Sequence, residues 1–231
     1  MHKQLQASAD FQIQSISQGS PHYPKRLLDL NDPPKRLFYM GDIGLLSQPM
    51  LAVVGARKAS SSGLLLAQHF SSALGLAGYH IISGMAYGID SAAHRSILDI
   101  GGSCKTIAVC GNGLDRTYPP EHRELATRIA QQGLLLSEYP PGTSPKGFHF
   151  PRRNRIIAAL SLGVVVIEAA QKSGSLITAY LASSLGREVF VLPGSITSPL
   201  FEGSHQLIQE GAKLVRSAQD VLEELPNIRL H

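Results

Sequence analysis

Between Glu138 and Glu168 the sequence holds no Asp or Glu, yet it carries Lys146, Arg152, Arg153 and Arg155. The chain has 21 Lys and Arg against 17 Asp and Glu, so these cations match its whole net charge of +4. Charge concentrated in this way is a patch, and its chemistry is anion binding. Pro151 can open a helix, which places the three arginines in the first turn and a half. Cations there oppose the helix macrodipole, at about 0.3–1 kcal/mol each when exposed, so something anionic has to compensate. Glu138 or Glu168 can serve one or two of the arginines; a bound phosphate accounts better for all of them together with Lys146. Phe148, His149 and Phe150 interrupt the basic run, the interleaving expected where bases stack while phosphates are neutralised. The shared parity of the two phenylalanines in an extended segment instead points both to the core, with His149 facing outward.

A second anion cradle is suggested by Lys172-Ser173-Gly174-Ser175-Leu176-Ile177-Thr178, a Gly/Ser turn feeding a helix after the apolar run VVVI. Free backbone N–H groups at such a start accept a phosphate, although Ser173 is equally an ordinary N-cap. The turn Ser83 to Asp90 is a third Gly-rich loop. The first such loop reads Gly55-Ala56-Arg57-Lys58-Ala59-Ser60. A dinucleotide fingerprint needs glycine where Arg57 stands, because backbone must approach a pyrophosphate there. A Walker A motif, a G-x-S-x-G elbow and an SxxK motif are also missing. HExxH and CxxC spacings do not occur, so no metal or other cofactor is expected. Cys104 and Cys110 flank an apolar run whose strand geometry holds them too far apart to bridge, and they read as core thiols. Glu138 and Glu168 each follow a strand, which keeps open an enzyme acting on a nucleotide or sugar phosphate; the plainer reading pairs each with an arginine.

The elements that must position these groups alternate as βαβα from Leu51 onward. Expected strands are 51–54, 79–83, 105–109, 134–137, 164–167, 188–191 and, weakly, 213–215. Expected helices are 63–77, 89–100, 121–132, 151–161, 176–185 and 204–209. Apolar runs without alternation suit a parallel sheet covered on both faces. Right-handed crossovers then give a Rossmann-like, doubly wound α/β fold with helices on both faces. With 231 residues against a typical domain of about 150, one large domain with an appendage is expected: residues 1–50 as an extension packed on the core, and 51–231 as the Rossmann-like domain that carries the anion-binding loops. Residues before about Ser20 are expected to be mobile. No apolar run approaches the roughly 20 residues that cross a bilayer, and no signal-peptide stretch opens the chain, so it reads as cytoplasmic with no membrane partner.

Taken in order, VGARKASSSG, SGMAYGIDSAAHRSIL, SEYPPGTSPKGFHFPRRNRIIAALS, EAAQKSGSLITAYLA, GREVFVLPGS and GSHQLIQEGA resemble the DNA-processing protein A (DprA/Smf) family over about Tyr23 to Leu225. The resemblance implies an extended Rossmann fold that binds single-stranded DNA without being an enzyme, forms a homodimer, and helps load the RecA recombinase onto incoming strands in natural transformation. Carried over by motif, Arg57 and Lys146 are the leading DNA contacts. Arg152, Asn154, Arg155, Ser173, Gly174 and Ser175 line the same pocket by resemblance, Asn154 and Arg155 being equally open to a structural role. Tyr87 stands where many members have a basic residue, and Ala159 replaces a usual glycine. The alternative is a phosphoribohydrolase on a related fold, whose PGGxGT signature is echoed only by Pro193-Gly194-Ser195.

Overall fold

The computed structural model describes residues 12–225. Nine strands form one sheet: β1 (Gln14–Ser17), β2 (Arg36–Gly41), β3 (Met50–Val54), β4 (His80–Ser83), β5 (Thr106–Cys110), β6 (Leu134–Ser137), β7 (Gly163–Val166), β8 (Glu188–Val191) and β9 (Lys213–Leu214). Their spatial order is β1-β2-β6-β5-β4-β3-β7-β8-β9. Every pairing from β6 across to β9 is parallel, while β1–β2 and β2–β6 are antiparallel. The chain winds outward from β3 to β6, then crosses back to place β7 on the other side of β3. β3 and β7 therefore flank the topological switch point, where loops diverge and leave a crevice.

The helices are α1 (Ser61–Leu76), α2 (Ile89–Ile100), α3 (Arg123–Gln132), α4 (His149–Leu160), α5 (Gly174–Ser184), α6 (Glu202–Gln209) and α7 (Ala218–Leu222). Side-chain alternation along β3 explains the two layers. Leu51 and Val53 pack with Phe70 and Leu74 of α1 and Ile97 of α2, whereas Ala52 and Val54 pack with Ile156 and Leu160 of α4 and Ala179 of α5. A third apolar cluster seats Leu125 and Ile129 of α3 against Ala108 and Leu135. No described helix is long and apolar enough to cross a membrane.

The first fifty residues depart from expectation. Residues 1–11 lie outside the described ones, but Gln14–Ser17 is a strand rather than a mobile lead-in, registered against Tyr39 to Arg36. Strand pairing needs backbone partners more than apolar side chains, and only Ile16 of β1 is buried. β2 in turn pairs with β6, so the extension continues the sheet. The short α7 also went unanticipated; it rests on a capping box at Ser217 and Asp220 rather than on a long apolar period.

Candidate functional site

The crevice at the switch point is a cleft of about 590 Å³. Its walls are the loop after β3, the loop after β7, and the N-terminal halves of α4 and α5. Arg57 and Lys58 enter from the first loop and Lys172 from the second, and all three are exposed. None of them forms an ion pair with a described residue. The Arg57 guanidinium lies 5.8 Å from the centre of the Phe150 ring, whose other neighbour is Tyr118 at 5.2 Å between centroids. Lys172 holds φ of +64°, a left-handed backbone that costs a residue with a Cβ roughly 1–2 kcal/mol.

The opposite wall is built on α5. Ser173 is its N-cap, accepting from Ser175 N, and the two hydroxyls lie 2.8 Å apart. Gly174 is exposed, and a Cβ there would meet nothing within 4 Å. Ser175 N–H is taken by its cap and Leu176 N–H donates to the Ser173 carbonyl, so what α5 offers the cleft is the open side of Gly174 and the positive end of its dipole. Asn154 on α4 donates from Nδ2 to the Gly174 carbonyl at 3.1 Å and accepts from Arg153 Nε at 3.1 Å.

Arg153 belongs to the core. It donates to the carbonyls of Gly84 and Val109, and burial lowers its pKa while raising that of Asp90 nearby. The two side chains sandwich Gly84: a Cβ there would sit 2.6 Å from Arg153 Nη2 and 2.8 Å from Asp90 Oδ2. Glycine is thus fixed by contact.

Of the residues expected to bind, Arg57, Asn154, Ser173, Gly174 and Ser175 line the cleft together, and Lys146, Arg152 and Arg155 do not. Lys146 is exposed in the loop three residues ahead of α4, its ammonium 5.9 Å from the Phe148 ring centre. Arg155 Nη2 meets Glu138 Oε2 at 2.5 Å, and Arg152 bridges Asp32 at 2.8 Å and Glu138 at 3.5 Å. The expectation that Arg152 and Arg155 share the pocket is corrected. They lie on the flank of α4 turned to the N-terminal extension, and their charge is met by carboxylates distant in sequence.

The aromatic expectation inverts as well. Phe148 is 68% exposed, Phe150 is half-buried at the cleft, and His149 is buried, bonded to Gly111 O and stacked on Tyr139 at 4.1 Å. The helix begins at His149 rather than Pro151, so neighbouring side chains spread by helical rotation and the parity of an extended segment does not apply.

Lys58 joins the cleft without being among the candidate contacts, and Lys172, which opens the second anion cradle, brings its side chain as well as the turn; the sign for both is a place in a loop leaving a central strand. Glu168 is fully buried and accepts from both the N–H and the hydroxyl of Ser60 at the start of α1. Its partner is a helix end rather than an arginine. Glu138 is taken by Arg155 and Arg152. Cys104 and Cys110 are free and buried, which pushes both thiols up to about 11.

A family model described as DNA recombination-mediator protein A matches residues 14–226. The chain belongs to this family. Among DNA recombination-mediator A relatives, DNA processing protein DprA of Streptococcus pneumoniae is 51% identical over 87% of this chain and 71% of its own length. DprA of Bacillus subtilis is 44% identical over 93% of this chain and 72% of its own. Protein Smf of Escherichia coli is 46% identical over 91% and 56%. The crystal structure of S. pneumoniae DprA superposes with a TM-score of 0.88 at 48% identity, covering 94% of this chain and 76% of that one. A DprA structure from Helicobacter pylori, described for its single-stranded DNA binding mode, gives 0.84 at 31% identity over 95% and 100%. A molybdenum cofactor binding protein from Rippkaea orientalis, at 16% identity and 0.54, shares the fold alone.

Proposed function

We propose that the cleft binds single-stranded DNA through its sugar-phosphate backbone. The observation that carries this reading is the meeting in one crevice of Arg57 and Lys58, from the loop after β3, with Lys172 and the adjoining start of α5, the three cations being exposed and without an ion pair among the described residues. Two or three successive phosphates are neutralised there, one of them at Ser173, Gly174 and Ser175, where α5 starts. Lys146 takes a further phosphate as the strand passes Phe148. Phe150 and Tyr118 offer ring faces at the rim, on which any base stacks, so sequence preference is weak. The H. pylori relative described for single-stranded DNA binding supports this choice of polymer.

The reading is of a binding protein rather than an enzyme. That the chain acts as a cytoplasmic homodimer, protects incoming DNA and passes it to the RecA recombinase in natural transformation is carried over from the family resemblance. The test is fluorescence anisotropy with labelled oligo-dT. Arg57→Ala and Lys172→Ala each weaken binding about tenfold, as loss of a charge-assisted phosphate contact should. Unchanged affinity in both would reject the cleft as the DNA site.

A further inference from the structure

At the opposite end of β3 from the cleft lies a second cavity of about 470 Å³. It sits between two short 3-10 turns, Lys25–Asp29 and Ile43–Ser47, with Pro49 just ahead of β3 in its wall. Its lining includes His22, Lys25 and Arg26 and no Asp or Glu. Lys25 is exposed and forms no ion pair with a described residue.

Arg26 is half-buried and donates a long bond from Nη1 to the Ser161 carbonyl at 3.4 Å, where α4 ends. Burial and the neighbouring Arg187 both lower its pKa. The carboxylate beside this pair, Asp29, is bonded by Arg187 Nη2, while Arg187 Nε is buried without a partner. Asp42, at the start of the second turn, accepts from Gly44 N at 2.8 Å as its N-cap and keeps its charge, so Lys25, Arg26 and Arg187 stand against Asp29 and Asp42. Two guanidiniums share one carboxylate, and Lys25 adds a further cation. The cavity therefore has a standing excess of positive charge on one side.

Away from the cations the wall is mainly apolar, with Pro21, Pro24, Pro49, Ile43 and Leu46, and Ser47 and Gln48 add polar groups to it. The volume falls in the range of small-ligand sites, about 300–1,000 Å³, and is far larger than an inorganic anion fills. Cations on one side, with prolines and the polar groups of Ser47 and Gln48 elsewhere in the lining, suit a ligand with a phosphate at one end and a ring bearing hydrogen-bonding edges at the other.

We propose that this cavity binds a nucleoside phosphate, its phosphate between Lys25 and Arg26 and its ring against the proline wall. Two sources share that chemistry: a free nucleotide, or one residue of a strand that leaves the cleft and follows α4. The helix joins the two places, since Asn154 and Ile157 line the cleft and Ser161 at its end meets Arg26.

Isothermal titration of the whole chain with AMP, with inorganic phosphate and with oligo-dT tests the site. AMP should bind the wild-type chain, and Lys25→Glu, which alters an exposed side chain and should melt like the wild type, should weaken AMP about tenfold. The double variant Arg57→Ala/Lys172→Ala should keep AMP affinity while losing oligo-dT, which separates this site from the cleft. No heat with AMP, AMP binding indifferent to Lys25→Glu, AMP binding lost in the double variant, or phosphate binding as well as AMP would each overturn the proposal. With the site established, displacement of AMP by saturating oligo-dT assigns it to the strand, and persistence assigns it to a free nucleotide.

Discussion

Asn154 Nδ2 holds the Gly174 carbonyl at 3.1 Å, so the first turns of α4 and α5 are pinned to each other beside the cleft. Through this bond a side chain on one wall sets the position of the helix end on the other. Asn154→Ala is expected to weaken oligo-dT binding several-fold and to cost about 1 kcal/mol of stability. Because no cation is lost, the dependence of affinity on salt should match the wild type. Anisotropy titrations at several salt concentrations, with urea unfolding alongside, separate this positioning role from a phosphate contact.

For the wild type, log affinity for oligo-dT against log salt should fall with a slope of about −2, as expected for roughly three phosphates at −0.7 each. Arg57→Ala should bring that slope about 0.7 closer to zero. A slope near zero in the wild-type chain would contradict backbone recognition.

Lys172 supports an opposite pair of effects. Lys172→Gly removes the cation and relieves the left-handed backbone, so the chain should gain up to about 1 kcal/mol while binding DNA more weakly. Lys172→Ala should lose the same affinity without that gain. Thermal melting and anisotropy on both variants check the split.

Arg152 and Arg155 should behave unlike each other. Arg155→Ala leaves the carboxylate of Glu138, itself 9% exposed, with only a 3.5 Å contact from Arg152, and should cost several kcal/mol in chemical unfolding. Arg152→Ala removes the exposed pair with Asp32 and the longer 3.5 Å contact to Glu138, which keeps its closer bond from Arg155, and should cost only about 1 kcal/mol. Neither should flatten the salt dependence of DNA binding.

His94 is fully buried, with Nδ1 2.6 Å from Thr106 Oγ1. Burial lowers its pKa to about 3, with His122 and Arg153 acting in the same direction. The unfolded chain, with a histidine near 6.5, then binds a proton that the folded chain refuses, so stability falls as pH drops from about 6.5 toward 3. His94→Gln should reduce that slope by up to about 1.4 kcal/mol per pH unit. Denaturant midpoints at pH 7, 6 and 5 measure it.

The parallel sheet was legible because strands buried on both faces leave unbroken apolar runs such as Leu51 to Val54 and Val164 to Ile167. β1 and β2 were not, since QSIS and RLFYMG join the sheet edge through backbone pairing and only partial burial. At the site, Arg57 is named by the resemblance of the first loop to the family's motif and the Ser173 to Ser175 turn by its Gly/Ser run ahead of a helix, and both line the cleft where the loops after β3 and β7 meet. Charge counting along the chain misled for Arg152 and Arg155. Their compensating carboxylates, Asp32 and Glu138, are brought in by the extension and by the loop after β6. Glu138 is the partner that the sequence itself offers for an arginine, but a linear tally cannot see Asp32, nor can it see that Arg153 points inward.

Glu168 gives the fold a built-in selectivity. Its carboxylate occupies the N-terminus of α1, bonded to Ser60, and a Cβ at Gly63 would come within 2.3 Å of it. In a coenzyme-binding relative of this architecture, the pyrophosphate docks at that helix end. Here the seat is filled from within, so a coenzyme approaching it would meet a like charge. The helix end left open to visiting anions lies instead across the crevice, where a long polymer can thread through without having to fold into a closed pocket.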